Sequence, residues 1–407
     1  MRIIHTADWH LGHRLGRLDR SDDIHAAIDR VVGICLREKA DVLLICGDLF
    51  DDVSRADVLR ASVDHMAKSL APFFEAGGTV LAITGNHDKE HLAHVLQQAM
   101  KLAAPAPTQP GDVLRPGRFY FFTGPTFFRL PDPAGLEVQF VMMPWPTPTR
   151  YLDEQGQRFG SAEERHRALR AAFTQKLNEA LAHRRFDAGL ATVLAAHITT
   201  NGAQVHASFT VNESDRLIVN DDDLPTGFAY VALGDIHKPQ RLMGLSHVRY
   251  AGSIERLDLG EAEDDKGVVL VEIDAAGQRG DVRVIPLEAT PIRRVIVDDP
   301  PSQLPGLAER HPDRERALVH LEVVYEVGRD NLAEVLATLD GIFPRWYARE
   351  FRKAGTPVEV CAPATDAAGF RQTVRAYLAE HLATHEERDA LIELAESLMA
   401  EGLDEPE

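Results

Sequence analysis

Three observations in the sequence predict an α/β fold. Through residue 103, short apolar runs rich in β-branched residues alternate with amphipathic segments of helical period. That βαβαβα rhythm implies parallel strands joined by right-handed crossovers. Five strand runs along the chain end in residues of metal-ligand type, at the carboxyl edge where open α/β sheets bind ligands. From residue 119 the strands follow one another closely, which suits a mixed sheet, or two sheets face to face, better than a purely parallel one.

The elements follow in order. Ile3 to Thr6 reads as a first strand running into Asp8-Trp9-His10. Asp22 to Ala40 is amphipathic, with Ile24, Ile28, Val31, Val32, Cys35 and Leu36 on one stripe. The apolar run that opens the stretch Ala40 to Asp51 is too short for a helix and breaks at Gly47-Asp48. A helix from about Ser54 to Glu75, with Ser54 as N-cap, stops at Gly77-Gly78. Thr79 to Thr84 ends in Gly85-Asn86-His87-Asp88, and Leu92, Val95, Leu96 and Met100 mark a further helix.

Beyond a Pro-rich link, Phe119–Phe122, Phe127–Leu130 and Val138–Met143 read as strands, closed by Pro144-Trp145-Pro146. Ser161-Ala162-Glu163-Glu164 is a capping box that opens a helix to about His183. Thr192 to Ala196 ends at His197, and Ala229 to Leu233 ends in Gly234-Asp235-Ile236-His237. Strands at 247–251, 268–273 and 282–285 complete this region. After about residue 291, strand-like 294–297 and 318–324 flank charge-rich links, with a helix at 331–339, which reads as a small α+β domain. Amphipathic helices are expected at 370–382 and 386–399.

The chain of 407 residues is long for one domain. With 44% hydrophobic and 26% charged residues it has ordinary globular composition, and no apolar run is long enough to span a bilayer. Three widely spaced cysteines form no disulfide framework, which with the absence of a signal-like start fits a reducing cytoplasm. A net charge of -19 argues against nucleic-acid binding by bulk charge. The acidity is uneven, however: ten acidic residues and one arginine follow from Glu380.

The strand ends present Asp8 and His10, Asp48, Asn86 and His87, His197, and Asp235 and His237. Singly, each is a turn, a cap or a structural histidine. Five such endings in one topological position point instead to a site. Two divalent cations about 3.5–4 Å apart can clamp the attacking and leaving oxygens of a phosphoryl displacement. Mixed oxygen and imidazole ligands suit Mn, Fe, Zn or Co. One histidine off the metals is needed to stabilise the transition-state charge or protonate the leaving oxygen.

Asp8-x-His10, Gly47-Asp48-x-x-Asp51, Gly85-Asn86-His87-Asp88, His197 and Gly234-Asp235-x-His237 resemble the ordered signature of the calcineurin-like metallophosphoesterases. His5 to Gly12, Tyr230 to Lys238 and Tyr250-Ala251-Gly252-Ser253-Ile254-Glu255-Arg256 resemble the SbcD-type nuclease branch of that family. The resemblance covers about the first 270 residues. It implies a two-sheet sandwich flanked by helices (1–290), a small α+β capping, DNA-binding domain (291–365) and a C-terminal helical segment (366–407). It implies that Asp8, His10 and His237 hold one metal, that Asn86, His197 and Asp235 hold the other, and that Asp48 bridges. His87 is then the off-metal catalytic histidine, oriented by Asp51. Asp235 stands where the commoner pattern has histidine, giving a harder, more anionic second site.

For function the resemblance implies a Mn²⁺-type DNA exonuclease and endonuclease. It would act with an ATPase partner, SbcC, whose coiled-coil base receives the C-terminal helices. The helices at 54–75 and 90–102 resemble the family's dimerisation elements. A small-molecule phosphodiesterase and a DNA-end tethering scaffold are the rival readings. Arg14, Arg17, Arg20 and Arg55 lie near motif loops as candidate phosphate contacts or solvated surface. His13 and His91 read as surface residues, and the Phe119–Phe128 aromatics as core.

Overall fold

The computed structural model describes residues 1–51, 55–103, 109–152, 159–205 and 217–355, with a few positions beyond (375, 378, 388–389, 391–392 and 394–395). The helix expected from about Ser54 has Arg55 at its N-cap position, with no side-chain cap hydrogen bond. Ser54 itself and most of the two C-terminal helices lie outside the described residues. The chain divides into Met1–Ala354 and Gly355–Glu407.

The first sheet is built around four parallel strands: β1 (Arg2–Thr6), β4 (Val42–Cys46), β5 (Thr79–Ile83) and β6 (Phe119–Phe122). β15 (Gly267–Asp274) and β16 (Gly277–Pro286) extend it antiparallel beyond β1. The second sheet has parallel strands β8 (Glu137–Met143), β9 (Thr192–His197), β12 (Tyr230–Gly234) and β14 (Val248–Tyr250). Antiparallel β7 (Thr126–Pro131) and β13 (Gln240–Arg241) form its edges. Two small pairings, β2 (Arg14–Leu15) with β3 (Leu18–Asp19) and β10 (Thr199–Thr200) with β11 (Ile218–Val219), decorate the strand ends.

Alternation along each buried strand sorts its side chains between two cores. Ile3, Val42, Leu44, Leu81 and Ile83 share one apolar cluster with Phe140, Met142, Val193, Ala195 and Ala232, so the two sheets pack face to face. The intervening residues Ile4, Leu43, Ile45, Val80 and Ala82 pack outward with residues of α1 (Ser21–Glu38), α2 (Ala56–Glu75) and α3 (Glu90–Ala103). The outer face of the second sheet packs with residues of α4 (Pro148–Tyr151) and α5 (Ala162–Ala182). Ser161 caps α5 as expected, accepting the Glu164 N–H at 3.1 Å. Tyr120, Phe121, Phe127 and Phe128 are buried.

A third, parallel sheet joins β17 (Ile292–Val297), β18 (Leu318–Tyr325) and β19 (Trp346–Lys353). With α6 (Pro300–Gln303), α7 (Leu307–Arg310) and α8 (Leu332–Ile342) it has its own core around Leu321, Val323, Leu339 and Phe343. β19 is not evident in the sequence because its residues are charged and partly exposed. Its neighbours include the β2–β3 hairpin: Arg17 donates to the Trp346 carbonyl at 2.8 Å and lies over the indole ring. Arg17 is thus committed to protein contacts. Arg20 is fully buried, bonded to Asp23 and the Arg256 carbonyl, so the phosphate-contact reading fails for it. Arg14 faces Asp19 and Arg55 pairs with Asp57, while His91 is exposed.

Candidate metal centre

Because β1, β4, β5, β9 and β12 run parallel within their sheets, their carboxyl ends bring the predicted site residues together. His197 closes β9 itself, and the others lie in the loops that follow β1, β4, β5 and β12. Glycines let the two sheets converge there. A Cβ on Gly234 would collide with the Cys46 carbonyl oxygen, and one on Gly47 with the His197 ring. Six described non-glycine residues have positive φ, and four of them are Asp8, His10, Asp48 and Asp235. Asp and His tolerate the left-handed region better than most residues, yet four together mark a site where backbone strain is maintained.

The resulting geometry is a convergence of acceptors. His10 Nε2 lies 3.2 Å from His237 Nε2. Each imidazole has a carboxylate on its other nitrogen: Asp51 at 3.5 Å from His10 Nδ1, and Glu261 at 2.8 Å from His237 Nδ1. Those carboxylates favour Nδ1–H tautomers, which leave two Nε2 lone pairs facing each other. His197 repeats the pattern. Its Nδ1 donates to the Cys46 carbonyl at 2.8 Å, and its Nε2 faces Asn86 Oδ1 at 2.9 Å and Asp48 Oδ2 at 3.4 Å. Asp235 Oδ1 lies 3.7 Å from the same nitrogen, and its other oxygen accepts from Thr199.

Asp48 sits between the two groups, with Oδ2 3.5 Å from His10 Nε2 and Oδ1 accepting the His87 N–H at 2.9 Å. Asp8 Oδ1 accepts the Asp235 N–H at 3.1 Å, while its buried Oδ2 has no hydrogen-bond partner among the described residues. A buried carboxylate oxygen without a partner costs about 1–3 kcal/mol or more, so this atom fits a cation ligand. Donor atoms of Asp8, His10 and His237 all lie within 4.8 Å of one another, as do those of Asp8, Asp48 and His197 and those of His10, Asp48 and His87. The donor set fits two divalent cations.

Protons compete for the same acceptors. Burial opposes charge on His197, but Asp48, Asp235 and Asp8 outweigh it and push its pKa up to about 10. Burial likewise opposes charge on His237, and Glu261 and Asp8 raise it to about 9. Burial raises Asp8 despite the nearby histidines.

His87 is half-exposed, and its Nδ1 lies 3.2 Å from Asp51. The Asp51 carboxylate also meets His13 Nδ1 at 2.7 Å, and His13 Nε2 lies 3.2 Å from the Leu257 carbonyl. His13 is therefore a largely buried partner of Asp51, not the surface residue expected from its loop position. Further supports of the site are absent from the sequence-based expectation. Asp88, buried, accepts from the Gly85, Leu49 and Phe50 N–H groups, tying the loops after β4 and β5 together. Buried Glu261 and Lys266, 2.6 Å apart, stand behind His237, whose carbonyl accepts from Lys266 at 2.9 Å. The acid that closes the Gly85–Asp88 run is a sequence signal for Asp88. Nothing distinguishes Glu261 from Glu263, Asp264 or Asp265 in the sequence.

A two-sheet sandwich with carboxylates and imidazoles gathered where strands of both sheets end defines the metallophosphoesterase class of hydrolases. Residues 1–239 match the family described as calcineurin-like phosphoesterase, and the chain belongs to that family. The SbcD component of nuclease SbcCD from Rhodobacter capsulatus is 30% identical over 283 residues, 67% of this chain and 66% of that protein. The protein of the same name from Bacillus subtilis is 28% identical over 278 residues, again 67% and 66%. The DNA double-strand break repair protein Mre11 of Aeropyrum pernix is 26% identical over 303 residues, 73% and 63%. The chain thus spans slightly less than two thirds of the length of these relatives.

Proposed function

We propose that the chain is a dinuclear-metal nuclease that hydrolyses phosphodiester bonds in DNA. The observation that carries the reading is the convergence of carboxylate, carboxamide and imidazole acceptors around Asp48. Asp8, His10 and His237 would hold one cation, Asn86, His197 and Asp235 the other, with Asp48 shared. When bound, the pair supplies positive charge for the phosphoryl oxygens and activates a water for in-line attack. Mn²⁺ suits the mixed donors, although three carboxylates make the centre harder than a histidine-richer one.

The remaining chemistry belongs to the protein. Burial opposes charge on His87, but Asp51 at Nδ1 and the nearby Asp48 raise its pKa. The shift favours the imidazolium, the form that can donate to the leaving oxygen. Asp51 orients that ring and is itself held well below the ordinary carboxylate range, against burial, by His10, His13 and His87.

DNA is favoured as substrate by likeness to two proteins named as components of the SbcCD nuclease and a third named for double-strand break repair. On that likeness the protein acts with an SbcC-type ATPase as an ATP-dependent double-strand exonuclease and single-strand or hairpin endonuclease in recombination and repair. Residues 291–365 cap the site toward DNA. Helices at 370–382 and 386–399 dock on the ATPase coiled-coil base, and α2 and α3 mediate a homodimer. The place of action is the nucleoid of the cytoplasm, and no described helix is long and apolar enough to cross a membrane. The test is hydrolysis of linear and hairpin DNA beside a chromogenic phosphodiester, with and without Mn²⁺ and the ATPase. Mn²⁺-dependent DNA cleavage is expected. Hydrolysis of the chromogenic ester alone would replace the reading with a small-molecule phosphodiesterase.

A further inference from the structure

The three tryptophans of the chain occupy different surroundings. Trp9 is fully buried, its indole N–H donating to Thr6. Trp346 carries the guanidinium groups of Arg17 and Arg349 on its ring. Trp145 is partly exposed and stands edge-on to His197, with ring centroids 6.0 Å apart and planes at 76°.

The segment that carries Trp145 is held firmly. It follows β8, whose last residue Met143 pairs with Ala196, the neighbour of His197. The Trp145 N–H donates to the carbonyl of Thr84, just ahead of Asn86 and His87, at 2.9 Å. Its carbonyl accepts from Arg150 at 3.2 Å, and the Pro144 carbonyl accepts from the Tyr151 hydroxyl at 2.6 Å. Pro144 and Pro146 on either side are buried. These hydrogen bonds and the two prolines fix the backbone that carries a partly exposed indole at the point where the loops after β5 and β9 meet. The buried part of the indole packs against the core on the outer face of the second sheet, and its exposed part lies beside the acceptor cluster.

We propose that Trp145 is the stacking platform for the nucleobase adjoining the scissile phosphate, an inference that rests on the nuclease reading. A base hangs one sugar ring from its phosphate. A phosphate engaged at the His197 end of the cluster therefore brings its base to the next available ring, Trp145. Stacking uses the π-face that every base possesses, so it serves an enzyme that cuts without regard to sequence.

A double-mutant cycle between indole and base tests this. The paired substrates are oligonucleotides that carry either a normal nucleotide or an abasic tetrahydrofuran unit at the cleaved position. In the wild-type protein, loss of the base should lower kcat/KM by about 5–150-fold, the range expected for one stacked base. In Trp145→Leu the same loss should cost at most about threefold, and Trp145→Phe, which keeps a ring in the site, should retain most of the wild-type penalty. Equal penalties in wild type and Trp145→Leu would overturn the inference, as would equal penalties in wild type and Trp145→Phe with no base effect in either. Wild-type protein that cuts neither oligonucleotide would overturn the nuclease reading and this inference with it.

Discussion

At the scale of single residues, the side chains that would hold cations are distinct from the one that would move a proton. His87→Ala should leave Mn²⁺ binding within about twofold, because its side chain is not among the proposed ligands. Turnover should fall by about 10²–10⁴-fold, the usual worth of a general acid. Isothermal titration beside steady-state rates checks both, and a fully active variant would contradict the role. Asp51→Asn should cost less, about 10–100-fold, since Asn still offers an oxygen to the histidines but not the charge. Asp51 raises the His87 pKa, so its loss lowers it. An acid must be protonated to act, so the alkaline limb of the pH–rate profile should move to lower pH. These residues can be placed from sequence because each follows a strand and belongs to a spaced motif. His13 and Glu261 cannot, because their roles depend on loops that meet only after the sheets pack.

At the scale of elements, strand convergence sets the site. Gly234→Ala would drive a methyl group into the Cys46 carbonyl oxygen, which lies in backbone and cannot swing aside. We expect about 1–3 kcal/mol of destabilisation, as for other overpacked interiors, together with weakened metal affinity because β12 and β4 carry Asp235 and Asp48. Denaturant unfolding and metal titration of the variant measure both. The β17–β19 sheet is tied to α1 by Asp23, which bonds both Arg20 and Arg345. Burial raises the Asp23 pKa, but the two arginines prevail and hold it below the ordinary value. A depressed folded-state pKa stabilises above the unfolded value of about 3.9 and is lost as pH falls through the folded value. Asp23→Asn should therefore be less stable at pH 7 by about 1–2 kcal/mol, with the gap closing in acid, as thermal unfolding at several pH values would show. The apolar runs of both main sheets are readable because their buried strands are rich in β-branched and aliphatic residues. β19 is not, since an edge strand with Arg349, Arg352 and Lys353 lacks that signature.

At the scale of the whole molecule, a net charge of -19 coexists with a proposed anionic substrate. The acceptors around Asp48 add to that repulsion until cations neutralise them, so DNA binding should depend on metal more steeply than on the ionic strength that governs basic nucleic-acid binders. Fold class and the two-sheet architecture are legible because strand rhythm and motif order persist over most of the chain. The residues alone show Asp48 as a strand-end carboxylate, the family resemblance implies its bridging role, and the geometry of both sheets sets it between His10 and His197. The central claim is that one carboxylate serves two cations. Metal content at saturating Mn²⁺, measured by mass spectrometry of wild type, Asp235→Ala and Asp48→Ala, tests it most directly. Two ions, one ion and none are expected in that order. Fewer than two ions in the wild type, or two retained in Asp48→Ala, would contradict it.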